Sequence, residues 1–289
     1  MSYQGRQGVL IRDFLGVLKD PVFIQGAGLM VLSLMDGRRS LKDIQLELIR
    51  QKEGSFISLE SVNKVVSEFD AAFLLDSAEY RKKRDQITAG YLAEETREAV
   101  LAGTAYPASP EELSAYVESI LSENDGERSQ SNFSDVRALI APHIDIKTGR
   151  VVYAAAYREV RGLTPKKILV LGVGHHLQDG FVSLTEKDYL TPLGRVKTDK
   201  IWVKRLKEIG KEVAAPHDIT HKMEHSIEFQ LLFLQSLFGQ DFMLIPILCG
   251  SFSDVLYSAS RPSEILGMKG FLEGLREFLR EDPGTLVVA

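Results

Sequence analysis

Six histidines occur in this sequence, and all of them lie between His143 and His225. Imidazole both changes charge near neutral pH and binds transition metals, so acid–base or metal chemistry is expected in this stretch. Two of the groups are placed with some consistency. His143 directly follows the apolar run 136–141, in Ala141-Pro142-His143-Ile144-Asp145, and His175-His176 directly follows 167–172, in Gly172-Val173-Gly174-His175-His176. Both runs are short and rich in Val, Ile and Leu, the pattern of strands buried on both faces. In open α/β sheets the ligand crevice lies just beyond the carboxyl ends of strands. If these two strands are neighbours, a spacing of roughly 5 Å lets both imidazoles reach one ion. Gly172 and Gly174 fit a tight turn that brings backbone close to a ligand. The alternative is a set of hydrogen-bonded, inert loop histidines.

The last cluster reads His217-Asp218-Ile219-Thr220-His221-Lys222-Met223-Glu224-His225-Ser226-Ile227-Glu228. Within it, His221 to His225 matches the H-x-x-E-H string of inverted zinc peptidases, which requires both histidines one helical turn apart. Pro216, Asp218 and Thr220 argue against a helix there, and Ser226 reads as a cap just after the motif. The competing reading puts Glu224 and His225 at a helix mouth with Glu228 one turn in, as acid–base groups or as partners of metal ligands. A plain helix start with acidic residues in its first turn is the third reading. Cys249 follows the run 242–248 and reads as a buried, unreactive thiol, since no nearby basic residue would lower its pKa.

The elements that must position these groups follow from the pattern around them. From residue 136 onward, strand and helix signals alternate, with helices expected at 149–160, 200–209, 226–238 and 262–280. Strands are expected at 136–141, 167–172, 242–248 and 285–289, and 181–185 with 189–196 as a hairpin or edge pair. The expected fold is α/β, a largely parallel sheet with helices on both faces. Residues 1–80 read as a separate α+β module with strands at 9–14 and 22–25 and a helix over 26–35. Ser40 and Ser58 cap two more helices, the second carrying Val62, Val65, Val66 and Phe69 on one face, and 72–76 reads as a closing strand. Three helices and a closing strand make a winged-helix-like unit. Residues 81–96 read as a linker and 122–134 as a polar loop.

Composition removes several classes. The net charge is −5, and the longest basic run is Arg81-Lys82-Lys83-Arg84, so a nucleic-acid footprint is not expected. The third helix of the module carries only Lys64 as a cation, unlike a DNA-reading helix. One cysteine allows no intrachain disulfide, and no apolar run is long enough to span a bilayer. A cytoplasmic protein is the expectation.

Several segments together resemble the Memo family. They are Arg97-Glu98-Ala99, Ala102-Gly103, Tyr106-Pro107, Pro110-Glu111-Glu112-Leu113, Ala141-Pro142-His143, Gly174-His175-His176, Thr191-Pro192-Leu193-Gly194, Glu224-His225-Ser226-Ile227-Glu228, and Ile245-Pro246-Ile247-Leu248 with Gly250. The resemblance covers residues 97–289 and implies a fold like that of class III extradiol dioxygenases. It assigns His143 and His175 to metal ligands, for iron or copper, and His225 to the pocket. His225, Glu228 and His176 are the expected catalytic groups. Where relatives often have a Gly after the first histidine, Ile144-Asp145-Ile146-Lys147 stands here, which would alter the pocket floor and add a carboxylate. The family pattern continues with an Asp-x-x-His segment and a later Cys, so the third ligand is expected beyond Ala289. The domain is therefore read as incomplete, with apolar surface exposed and prone to aggregation.

Bacterial and archaeal relatives are commonly called protein B of the AmmeMemoRadiSam system, which implies radical-SAM and AMMECR-type partners. The stretch from Leu34 to Ile44 resembles PqqD-type domains, which implies a peptide at the N-terminal module; a small docking or dimerising domain is the alternative. Two functions stand side by side: a metal-dependent oxidoreductase of dioxygenase type, and a non-enzymatic component that binds a peptide or partner.

Overall fold

The computed structural model describes residues 2–3, 6–18, 20–123, 136–257 and 261–289. The chain divides into two compact units, Met1–Gly90 and Tyr91–Ala289. The polar loop expected at 122–134 lies, from residue 124 onward, outside the described residues.

In the first unit, β1 (Ser2–Tyr3) pairs antiparallel with β2 (Arg6–Gln7), and β3 (Val9–Ile11) with β4 (Val22–Ile24). Three helices follow, α1 (Gly26–Leu34), α2 (Leu41–Gln51) and α3 (Leu59–Ala71). The predicted caps are present. Ser40 and Asp43 form a reciprocal capping box, and the Ser58 hydroxyl accepts the Ser61 N–H at 3.0 Å. Ile24, Val31, Leu34, Ile44, Leu48, Val62 and Phe69 make the core, joined at its margin by Val65 and Val66.

Two expectations for this region need correction. Residues 72–76 are a helix-ending turn, not a strand: Phe73 takes φ 57°, and the Leu74 N–H donates back to the Phe69 carbonyl at 2.9 Å. The segment read as a linker is helix α4 (Ala78–Ala93), whose Lys and Arg run is compatible with an exposed helical face.

The second unit is built on an eight-stranded sheet. Its strands are β5 (Thr96–Arg97), β6 (Ala138–Leu139), β7 (Lys167–Val173), β8 (Val182–Leu184), β9 (Asp188–Thr191), β10 (Gly194–Thr198), β11 (Met243–Cys249) and β12 (Leu286–Val288). The spatial order is β5-β9-β10-β11-β7-β12-β6, with β8 paired to the end of β11. The pairs β10–β11, β11–β7, β7–β12 and β12–β6 are parallel. The hairpin expected between 181–185 and 189–196 does not form: β8 runs antiparallel to β11 instead, and the second segment folds on itself as the β9–β10 hairpin. A single partner strand thus serves β10 at its start and β8 at its end.

The helices are α5 (Pro110–Leu121), α6 (Ile146–Arg158), α7 (Lys200–Ile209), α8 (Ser226–Phe238), α9 (Ser253–Tyr257) and α10 (Met268–Glu281). Alternation along β7 shows that both faces are covered. Ile168 and Val170 pack in the core with Leu113, Tyr157 and Phe233, while Leu169 packs with Val203, Leu206 and Phe278. The helix expected at 262–280 is shorter, because Gly267 at φ 78° separates a 3-10 turn, Pro262–Glu264, from α10. Among the described residues, no helix is long and apolar enough to cross a membrane.

Helix α8 is buried on every side from Ser226 to Gln235, and it meets β7 at a glycine. A Cβ on Gly172 would stand 2.6 Å from Ile227 Cγ1 and 2.7 Å from Ser226 Oγ. The absence of a side chain therefore lets the start of α8 lie directly on the end of β7, where the Ser226 hydroxyl donates to the Val173 carbonyl at 3.0 Å. Gly172→Ala is expected to cost about 1–3 kcal/mol through overpacking, measured as a shift in the urea midpoint.

Candidate functional site

The carboxyl ends of β6 and β7 lead into the loops that carry His143 and His175. These strands are not neighbours, so the condition under which adjacent strands alone would bring the two imidazoles together is not met: β12 lies between them. Two strand spacings amount to roughly 10 Å, so the loops must close the gap. They do: the His143 and His175 rings lie 5.2 Å apart between centroids, tilted by 45°. The His143 loop is tied down by α8, whose Gln230 donates to the Pro142 carbonyl at 2.9 Å and accepts the Tyr157 hydroxyl at 2.6 Å.

The third imidazole comes from the residue just before α8. His225 lies parallel to His175 at 5.2 Å and 6°, with Phe229 edge-on at 5.1 Å. Burial lowers the His225 pKa, neighbouring His175 and His143 add to the shift, and Glu224 opposes it. A nitrogen from each of His175 and His225 and a carboxylate oxygen of Glu224 lie within 4.8 Å of one another, close enough to hold a cation. The Glu224 carboxylate is buried and accepts N–H bonds from His175, His225 and Ser226 at 3.0, 2.8 and 3.0 Å. Burial pushes its pKa up, but the Ser226 and His175 N–H groups and the His175 ring outweigh that, and the net shift is downward.

The remaining expected residues fall elsewhere. Glu228, expected to handle protons with His225, is fully buried. Its carboxylate pairs with the Arg97 guanidinium and accepts from the Tyr106 hydroxyl and the Val100 and Leu101 N–H groups, both at 3.0 Å. Its acceptor capacity is thus filled within the core, and Glu224 is the carboxylate at the histidines. His176 is exposed and is not among the residues whose ligand atoms converge. Asp145, read as an added pocket carboxylate, caps α6 by accepting the Thr148 N–H at 2.9 Å. Cys249 is half-buried at the end of β11, and burial pushes its thiol up to about 11.

The H-x-x-E-H reading also fails on geometry. Residues Ile219–Lys222 form a 3-10 turn, and the helix begins only at Ser226. His221 is fully buried, with Nδ1 2.8 Å from the Tyr189 hydroxyl and Nε2 3.1 Å from the Ser183 carbonyl. A carbonyl only accepts, so Nε2 carries the proton and Nδ1 accepts from Tyr189. Neither nitrogen remains for zinc.

Arg97 holds this region together and its role was not foreseen. Its Nε donates to the His221 carbonyl at 3.0 Å, another nitrogen donates to the Glu224 carbonyl, and its guanidinium lies 5.2 Å over the Tyr189 ring. The opening segment, the 3-10 turn and the start of α8 are thereby clamped around one cation.

Residues 97–258, more than half of the chain, match the family described as Memo-like protein. The chain belongs to the Memo family. Relatives include a MEMO1 family protein of Aquifex aeolicus, 32% identical over 234 residues, which cover 80% of this chain and 60% of that protein. A MEMO1 family protein of Methanopyrus kandleri is 32% identical over 158 residues, covering 52% and 55%, and one of Pyrococcus furiosus is 35% identical over 162, covering 53% of each. This chain therefore spans between about half and three-fifths of the length of these Memo relatives. Coverage of 80% exceeds what residues 97–289 can supply, so the Aquifex match extends N-terminal to the Memo-matching segment.

Two outcomes test the framework of this Memo site. Arg97→Ala leaves Glu228 buried without its cation and is expected to cost about 3–5 kcal/mol in denaturant unfolding. His221 supplies the second test. Burial holds its pKa near about 4, below the ordinary 6.5. The unfolded chain takes up this proton first as pH falls, so the contribution is present above 6.5 and is lost as pH drops through 4. The unfolding free energy from urea titrations is expected to fall across that window, by at most about 1.4 kcal/mol per pH unit from this group, and His221→Asn to flatten the slope.

Proposed function

We propose that the second unit carries a Memo-type metal site in which His143 and His175 hold a non-haem iron or copper ion. The observation that carries this reading is the pair of tilted imidazoles, 5.2 Å apart, at the carboxyl ends of parallel strands. The donor chemistry fits, because neutral imidazole suits iron and copper, and a carboxylate stands beside one of the rings. His225 is the less suitable ligand: its ring is parallel to His175, so the in-plane lone pairs of the two rings do not point toward a common ion.

A bound iron or copper ion would supply redox or Lewis-acid chemistry. The protein's own groups would position a substrate and move its protons. His225, whose pKa burial lowers, accepts a proton from a bound substrate, and Phe229 braces its ring from the edge. His176, exposed and next to His175 in the chain, would be a second proton carrier. An oxidoreductase acting on a small oxygen-rich or aromatic substrate, or on a peptide, is the corresponding activity, within a cytoplasmic system shared with radical-SAM and AMMECR-type proteins.

A second reading, as a non-enzymatic partner-binding component, is favoured by the first unit, in which the stretch from Leu34 to Ile44 resembles PqqD-type domains. Met30, Val31, Leu48, Val62 and the exposed Phe56 line an apolar groove between its helices, suited to a peptide. The two readings separate on metal binding. His143→Ala and His175→Ala are each expected to abolish specific binding in anaerobic Fe²⁺ or Cu⁺ titrations, while His176→Ala retains it. Equal binding by the parent chain and the His143→Ala variant would leave the partner-binding reading in its place.

A further inference from the structure

His175 presents Nδ1 to both oxygens of the Glu224 carboxylate, at 3.0 and 3.1 Å. An ionised carboxylate only accepts, so the nitrogen that faces it must carry a proton. The same two oxygens already take the N–H groups of His175, His225 and Ser226. Four donors therefore converge on one buried carboxylate, which is thereby locked in place and left with little capacity to bind a cation itself. The link runs in both directions: the residue that caps the entry to α8 also grips the ring at the end of β7.

We propose that Glu224 is a positioning residue that fixes the proton of His175 on Nδ1 and so leaves Nε2 as the nitrogen with a free lone pair. This inference deepens the metal-site reading and rests on it for its purpose, though not for its test. An imidazole side chain left to itself favours the opposite tautomer, with the proton on Nε2 and its lone pair on Nδ1. Without Glu224 the ring would bind an ion in two competing modes. A carboxylate behind a metal-binding histidine fixes the tautomer and the ring orientation and raises the basicity of the ligating nitrogen. Glu228, one turn further along α8, cannot substitute, because Arg97, Tyr106 and two backbone N–H groups occupy it.

The test begins on the metal-free chain. Long-range proton–nitrogen correlation spectra of the histidine rings at neutral pH, with His175 assigned by a His175→Gln variant, report which nitrogen is protonated. The expected result is a proton on Nδ1 alone. Glu224→Ala is expected to shift His175 toward the Nε2–H form and to weaken Fe²⁺ binding by about 10–100-fold. Glu224→Gln, whose side-chain oxygen still accepts from Nδ1, is expected to keep the tautomer and most of the affinity. A purely structural role for Glu224 would not move the tautomer in this way. The wild-type spectrum needs no variant to fold: a His175 protonated on Nε2, or on both nitrogens, overturns the proposal. An unchanged tautomer in a folded Glu224→Ala variant does the same. A tautomer switch without any Fe²⁺ binding would uphold the positioning role and overturn the metal-site reading instead.

Discussion

Arg97 carries a permanent charge into a place that water does not reach, and the arrangement around it is dictated by that fact. A buried guanidinium is costly unless it is paired and its N–H groups are used. Glu228 supplies the counter-charge, the His221 and Glu224 carbonyls take further donors, and the Tyr189 ring covers a face. The partners span the 3-10 turn and the first turn of α8, so the cation fixes the backbone path between two elements. A lysine has neither the planar fork nor the reach to meet three partners in different directions. Strand β5, only two residues long, has few ladder bonds of its own, and this buried cluster anchors it at the sheet edge.

The rest of the site depends on α8 being where Arg97 puts it. The helix is enclosed by core, yet it carries Glu228, Gln230 and Gln235 inside. Each is partnered in a way that ties a distant loop to the helix. Gln230 joins Tyr157 to the Pro142 carbonyl ahead of His143, and Gln235 joins Thr191 to the Gly194 carbonyl in the β9–β10 hairpin. Buried amides that must find partners specify a single arrangement of the chain segments that provide them. The imidazoles at the mouth are thus placed by polar groups in the core, from behind.

Much of the sheet was legible because strands buried on both faces have to be apolar throughout, and 167–172 and 242–248 show little else. Helix α7 at Lys200–Ile209 and α8 at Ser226–Phe238 agree with their sequence boundaries because Asp199 caps the first and the second is preceded by residues unsuited to a helix. The order of the strands was less accessible. Whether β6 and β7 touch depends on β12 inserting from nearly 120 residues further along, a long-range choice that local pattern does not encode. Residues 72–76 misled for a related reason: apolar residues after a helix can continue into a strand or fold back in a left-handed turn, and Phe73 does the latter. Arg97 was quoted within a motif, but nothing in its spacing identifies Glu228 as its partner.

The H-x-x-E-H string shows most clearly where sequence reading ends. Both of its histidines and its glutamate are buried or half-buried, and all three lie within the same short stretch of chain. What separates them is the count of unoccupied lone pairs. His221 is held at both nitrogens, by Tyr189 and by the Ser183 carbonyl, and is chemically finished. Glu224 has its oxygens filled by N–H groups and the His175 ring. His175, which lies outside the string, is held by Glu224 at one nitrogen. A motif counts residue types at intervals, whereas a binding site requires donor atoms that folding has left unspent, and the two counts diverge wherever the core needs polar groups for its own assembly.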